Sequence, residues 1–323
     1  MKRVFVTGGA GFVGSHVVAQ PTEQGYEVVV YDRLSQYLIP IDHSYVNHME
    51  YRLHNLLKGC TTIRGNTLNK DNLRRNLVDV RPDIIIHLAA LPLANFAIKD
   101  SEEAFYTIIQ GTVNLLEVLR DVNFVSKFVF TSSSMVYGDF VQEPIPEDAP
   151  KQPKDIYGGM KLAGEVLVKT YARRYDIRYN IVRPSAVYGP SDINHRVLRN
   201  FVEAALNGKP LQVVDGGKTR LDFTYVEDIA QGIRLAATDD RVSGEEFNLT
   251  RGEARTLSEA VDIIQNHIGH VEVNHVEQEA FRPKRGTLDV SKAKRLLGYK
   301  PKYRLEEGLA KYIRFVKDVT LAA

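Results

Sequence analysis

The first half of the chain alternates short runs of β-branched and aliphatic residues with longer stretches in which apolar positions recur every three or four residues. The runs at 4–7, 28–31, 61–65, 84–88, 127–132 and 180–183 carry little polar alternation, which predicts strands covered on both faces. The intervening stretches 11–20, 70–80, 104–120 and 157–174 predict helices, of which 104–120 has the clearest spacing. Strand and helix in regular alternation predict the α/β class, as a doubly wound parallel sheet of about seven strands with helices on both faces. Pro21 lacks an N–H, so the first helix should end or kink there.

After Arg183 the alternation weakens, and Pro190, Pro210 and Gly216-Gly217 break the pattern. This predicts a Rossmann-type first domain over 1–180 and a smaller mixed α/β domain over 181–323, with a segment near 223–245 returning to the first. Residues 36–59 form a long connection with His43, His48 and His54, read as a surface insertion because histidines alone do not make a metal site. No metal is expected. No internal repeat or low-complexity tract interrupts the chain.

With 323 residues, 44% hydrophobic and 25% charged, the composition is that of a globular protein. A formal charge of +2, with no basic block beyond residues 282–285, leaves no footprint for nucleic acid. The single Cys60 excludes an internal disulfide and a cysteine zinc site and fits a reducing compartment. The N-terminus lacks a signal-peptide core, and the most apolar stretch, 84–98, is broken by His87, Pro92 and Asn95, short of the ~18 residues a span requires. A cytoplasmic protein without a membrane partner is expected.

Three clusters carry chemistry. Thr7-Gly8-Gly9-Ala10-Gly11-Phe12-Val13-Gly14 follows the first strand and opens a helix. Gly8 suits a tight turn, Gly11 lets a pyrophosphate approach the helix N-terminus, and Gly14 allows close packing. Asp32 ends the second strand, where a carboxylate accepts from an adenosine ribose. It disfavours a 2′-phosphate, so NAD is expected over NADP although Arg33 is adjacent. Tyr157 and Lys161 share a helix face, and a tyrosine acting near neutral pH needs such a positive neighbour. Ser132, Ser133 and Ser134 follow a buried strand; as types they suit turns and caps, but a hydroxyl there can also meet a substrate oxygen.

In order, TGGAGFVGSH, Asp32, PDIIIHLAA, FVFTSSSMVYGD, YGGMK, RPSAVYGP, DFTYVEDIA and LDVSKAKRLLGYKP resemble the extended short-chain dehydrogenase/reductases over nearly the whole chain, and more narrowly their nucleotide-sugar epimerase/dehydratase branch. The resemblance implies a catalytic triad of Ser133, Tyr157 and Lys161. Tyr157 would take the proton of a sugar hydroxyl, usually at C4, while hydride passes to the cofactor, and Ser133 would orient the oxygen. It places Gly8, Gly11, Phe12, Val13, Gly14, Asp32, Arg33, Asn66, Thr67, Leu88, Ala89, Ala90, Tyr157 and Lys161 along the cofactor. The branch's dehydratases carry acidic residues where this chain has Ser134 and Met135, and its 3,5-epimerases a cysteine, which disfavours both reactions.

The implied activity is an NAD-dependent nucleotide-sugar 4-epimerase working through a 4-keto intermediate, with a UDP-sugar as substrate. One alternative is a 4-dehydrogenase or reductase acting on an unusual heptose or deoxysugar; a remote one is a non-catalytic NAD-binding regulator. The chain departs from the family at Ala186, Leu221, Ile108 and Asn66, which puts its diphosphate and adenine contacts in question. Arg196, Arg220 and Arg282 are the arginines assigned to substrate, beside Ser133, Ser134 and Tyr157; His195 is expected at the surface. The resemblance also implies a homodimer through a four-helix bundle built from 104–120 and 157–174.

Overall fold

The computed structural model describes residues 1–35, 43–92, 94–277 and 282–321, the side chains at 43–44 and 319–321 excepted. Seven strands, β1 (Arg3–Thr7), β2 (Glu27–Asp32), β3 (Thr61–Arg64), β4 (Ile84–His87), β5 (Lys127–Thr131), β6 (Tyr179–Pro184) and β7 (Glu245–Leu249), form one parallel sheet. Their spatial order is β7-β6-β5-β4-β1-β2-β3. Each strand was expected except β7, whose EEFNL sequence shows little apolar continuity; it comes from the returning segment. β1 lies between β2 and β4, so the strand order reverses there and a crevice opens beyond the carboxyl ends of β1 and β4.

Burial explains the central position of β4. Ile84, Ile85 and Ile86 are all buried, facing alternately into two apolar layers, one with Val4, Val6, Val17 and Val30 and the other with Phe5, Leu73, Leu115 and Phe128. His87 closes the strand with both ring nitrogens engaged. Thr112 donates its hydroxyl proton to the Ile108 carbonyl, so His87 Nε2 is the donor to Thr112 Oγ1 at 3.0 Å, and Nδ1 accepts from Thr7 Oγ1 at 2.6 Å. Burial, and secondarily Lys161, lower its pKa to about 3, so the ring is neutral.

The helices depart from the sequence reading in three places. The first runs Phe12–Glu23, two residues past Pro21, because the proline sits in the last turn and is itself buried. The helix expected at 104–120 begins at Ser101, where the Asp100 carboxylate accepts from Glu103 N–H, and is interrupted by a π-helical turn, Phe105–Gln110, before continuing as Gly111–Leu119. The supposed surface insertion is not confined to the surface. Helix His43–Tyr51 and the π-helical Arg52–Leu56 follow residues 36–42, which lie outside the described residues, as does the His43 side chain. His48 is buried against Phe315 (ring centroids 5.6 Å), Tyr51 meets the same ring at 4.7 Å, and His54 is exposed. Among the described residues there is no histidine, cysteine or carboxylate cluster suited to a metal.

The sheet runs through Pro184, past the expected boundary at 180. Helix Val226–Thr238 packs back onto it and leads to β7. Gly232 permits this approach, since a Cβ there would lie 2.8 Å from Leu249 Cδ1. The smaller lobe gathers helices Val197–Leu206, Leu257–Ile268 and Leu305–Leu321 around the parallel pair Leu211–Val214 and Val273–Val276. Phe201, Ile264, Leu309 and Tyr312 fill its core. Asp222 ties its loops together, accepting from Thr250 Oγ1 and the N–H groups of Gly252 and Leu288, with burial pushing its pKa up to about 6.

One buried ion cluster joins the helix Ile156–Tyr175 to the sheet edge. Arg183 on β6 is fully buried and forks onto both Glu165 oxygens at 2.8 and 2.7 Å, with further bonds to Glu246 on β7, Tyr137 Oη and the Glu147 carbonyl. Removing one partner strands a buried charge. Glu165→Ala should therefore cost about 3 kcal/mol in urea unfolding followed by circular dichroism. Lys2→Ala, which breaks the exposed pair with Asp240, should change stability by under about 1 kcal/mol. A loss of similar size in both variants would show that Glu246 alone secures Arg183.

Candidate active site

The crevice beyond β1 and β4 continues between the lobes as one cleft. It is lined by the glycine loop, Asp32, the ends of β4 and β5, the start of the Ile156–Tyr175 helix and the 185–198 and 282–285 segments. Gly8 has φ +71°, and a Cβ on it would lie 2.6 Å from Ala89 N. Gly14 lies under the Gly8 carbonyl, 2.1 Å from where its Cβ would be. Gly11 caps the first helix with no side chain, leaving the N-terminal amides for an anion. Asp32 accepts from Ala10 N–H (3.0 Å) and Leu34 N–H (2.8 Å), and burial raises its pKa despite those bonds.

Arg33 lines the cleft but is ion-paired with Glu103 at 2.9 Å. Phe12, Val13, Asn66, Thr67, Leu88, Ala89 and Ala90 also line it, so the residues assigned to cofactor all line the one cleft. The donors, the carboxylate and the glycine spacing fit a dinucleotide.

At the opposite end the Asp155 carboxylate caps the Ile156–Tyr175 helix through Gly158 N–H (2.8 Å) and thereby sets its first turn, which carries Tyr157. Tyr157 and Ser133 line the cleft together, and burial, opposed by Arg196 and Ser133, pushes the Tyr157 pKa up to about 12. Lys161, one turn on, donates to the Thr131 carbonyl at 2.8 Å with its Nζ 5.8 Å from the Tyr157 ring centroid. Burial lowers its pKa to about 8, opposed by Glu165. The structure therefore gathers Ser133, Tyr157 and Lys161 at one point.

Of the three serines, Ser133 is the one that caps the 3₁₀ turn Ser134–Tyr137, accepting from Met135 N–H. Ser132 and Ser134 are not caps. Their hydroxyls and that of Thr131 are buried without a hydrogen-bond partner at the cleft wall, which marks a place for a polar ligand.

The arginines assigned to substrate separate. Leu221 faces the cleft, so Arg220, beside it on a short strand, faces the other way and pairs with Glu143 at 2.8 Å. Arg196 lines the cleft, bonded to Asp192 at 2.5 Å and lying 5.1 Å from the Phe12 ring centroid. Arg282 lines it as an exposed side chain, and so does His195, whose φ of +33° is strained for a non-glycine residue.

Arg285, Asp155 and Arg52 also line the cleft and were not foreseen. The basic run at 282–285 contained a signal for Arg285. Arg52 had none, being placed by a fold-back. Ile108, which replaces the family's asparagine, is buried with Leu91, Phe96 and Ala104.

A dinucleotide cleft on a doubly wound sheet, with serine, tyrosine and lysine at its far end, defines an NAD-linked oxidoreductase-type site. Residues 4–250 match the model of the NAD dependent epimerase/dehydratase family, and the chain belongs to that family. It is 30% identical to UDP-glucose 4-epimerase of Mycolicibacterium smegmatis, covering 98% of this chain and 99% of the relative. It is 32% identical to UDP-glucuronate 4-epimerase 1 of Arabidopsis thaliana, covering 97% of this chain and 76% of that one. The structure of UDP-glucuronic acid 4-epimerase from Bacillus cereus, in complex with UDP-glucuronic acid and NAD, superposes with a TM-score of 0.89 at 29% identity, covering 98% and 99% of the two chains.

Gly14→Ala tests the cofactor wall. The added methyl must displace the glycine loop, and overpacking of about 1–3 kcal/mol should weaken NAD binding by about tenfold or more. Isothermal titration of the NAD-stripped protein measures this; unchanged affinity would remove the loop from the cofactor site.

Proposed function

We propose that the protein is an NAD-dependent UDP-sugar 4-epimerase. The observation that carries this reading is the meeting of Ser133, Tyr157 and Lys161 on the dinucleotide cleft, with no carboxylate at Ser134 or Met135 to drive elimination. When bound, NAD supplies the hydride acceptor and a positive nicotinamide ring.

Tyr157 takes the C4 hydroxyl proton as hydride leaves C4, and returns it after the 4-keto sugar has presented its other face. A phenol held near 12 stays protonated at neutral pH and cannot accept the sugar proton, so the charge of Lys161 and of the cofactor must draw its pKa down. Ser133 holds the sugar oxygen beside it. Arg282, Arg285 and Arg196 give the substrate end a cationic lining suited to a diphosphate. Arg33 is committed to Glu103 and Asp32 faces the ribose position, which supports NAD over NADP.

The relatives' substrates include UDP-glucose and UDP-glucuronate, and both belong in the assay. Proton NMR of UDP-glucose, UDP-N-acetylglucosamine and UDP-glucuronate, with purified protein and no added NAD, should show signals of a 4-epimer from at least one. Tyr157→Phe should lower that rate about 10²–10⁴-fold while the protein retains NAD. No turnover of any of the three by folded, NAD-loaded protein would sink UDP-hexose epimerisation and favour a 4-dehydrogenase on a rarer sugar.

The protein also pairs, on this reading, into a homodimer through the 101–119 and 156–175 helices. Phe105, Tyr106, Ile156 and Val166 expose large apolar side chains there. Light scattering should give the mass of two chains, and Val166→Glu should give one; a monomeric wild type ends the idea. Among the described residues no helix is long and apolar enough to cross a membrane. With a lone cysteine and a nucleotide-linked substrate, the cytoplasm is the proposed location, and fractionation of cells with an antibody to the protein would show it elsewhere if this is wrong.

A further inference from the structure

Residues 43–56, between β2 and β3, run along the cleft and place Arg52 at the junction of three chain segments. Its Nη1 donates to the Ala10 carbonyl in the glycine loop at 3.1 Å. Its Nη2 and Nε donate to the carbonyl and hydroxyl of Ser191, at 2.5 and 3.3 Å, in the loop leading to the smaller lobe. The guanidinium is buried, yet these oxygen acceptors are neutral. Asp192 and Asp32 act on it as charges from nearby, and burial outweighs them, lowering its pKa to about 10.

A buried cation with neutral partners, lining a cleft built for a diphosphate, is most stable when an anion enters beside it. The same segment brings Tyr45 and Met49 to the cleft, and is anchored at its other end by His48 and Tyr51 against Phe315.

We propose that Arg52 is the residue that retains the dinucleotide: it pins the fold-back segment to the glycine loop and the Ser191 turn, and would supply positive charge to a diphosphate held in the cleft. This rests on the assignment of NAD to the cleft and concerns cofactor release, not hydride transfer. An epimerase needs such retention, because the hydride must return to the same sugar before the reduced cofactor escapes.

The test measures NAD release directly, from NAD-loaded protein diluted into an NAD-consuming enzyme, with bound NAD counted after gel filtration. Charge-assisted hydrogen bonds of ordinary strength imply that Arg52→Met releases NAD about ten- to hundredfold faster and emerges largely NAD-free. Arg52→Lys, which keeps the charge but not the fork, should fall between. Phe315→Ala loosens the far anchor without touching the cleft and should also speed release.

Wild-type release rates in Arg52→Met, with a wild-type melting temperature, overturn the proposal. If that variant does not fold, unchanged release in Phe315→Ala overturns it instead. A failure of the epimerase reading shows separately, as wild-type protein that holds NAD and converts none of the sugars.

Discussion

The buried guanidinium of Arg183 is the contact on which the reactive end of the molecule depends. It joins β6 to the helix of Tyr157 and Lys161 through Glu165, to the edge strand through Glu246 and to the serine turn through Tyr137. Tyr137 passes the connection on by donating to Asn248 Oδ1, and Asn248 in turn donates to the carbonyls of Ile145 and Asp289. Ser133 stands four residues before Tyr137 and Lys161 four before Glu165, so one charge cluster places both sides of the site. A buried ion pair is weak evidence of net stability but strong evidence of fixed geometry, since every displaced partner leaves a charge without solvent.

Much of this was legible from the chain. The β-branched runs marked the six strands that open the sheet because a strand buried on both faces has no polar alternation to confuse it. The glycine loop, Asp32, and the Tyr157–Lys161 spacing were readable because backbone approach and helix periodicity restrict them to particular residue types. β7 was harder: Glu245 and Glu246 answer Lys292, Lys169 and Arg183, pairings that exist only after folding. The π-helical turn at Phe105–Gln110 was likewise invisible, since its side-chain spacing differs from an α-helix by a single residue.

The substrate end was the least legible. Arg220 and Leu221 are adjacent, and which of them faces the cleft is set by the phase of a two-residue strand rather than by composition. Arg52 is further still from sequence logic, since a guanidinium inside an apparently solvated connection becomes buried only when its segment packs against the glycine loop and the Ser191 turn. Features set by local geometry were legible in residue type and spacing, whereas placements made by contacts between distant segments were not.

The chain's path carries one more consequence. It leaves the sheet at Pro184, re-enters with helix Val226–Thr238 and β7, and leaves again after Leu249. The backbone of 284–287 also hydrogen-bonds across to 139–145. The two lobes are thus braided rather than strung on a hinge. A braid cannot be cut and respliced as a module, because removing the smaller lobe would break the path to β7 and the bonds between 139–145 and 284–287 together.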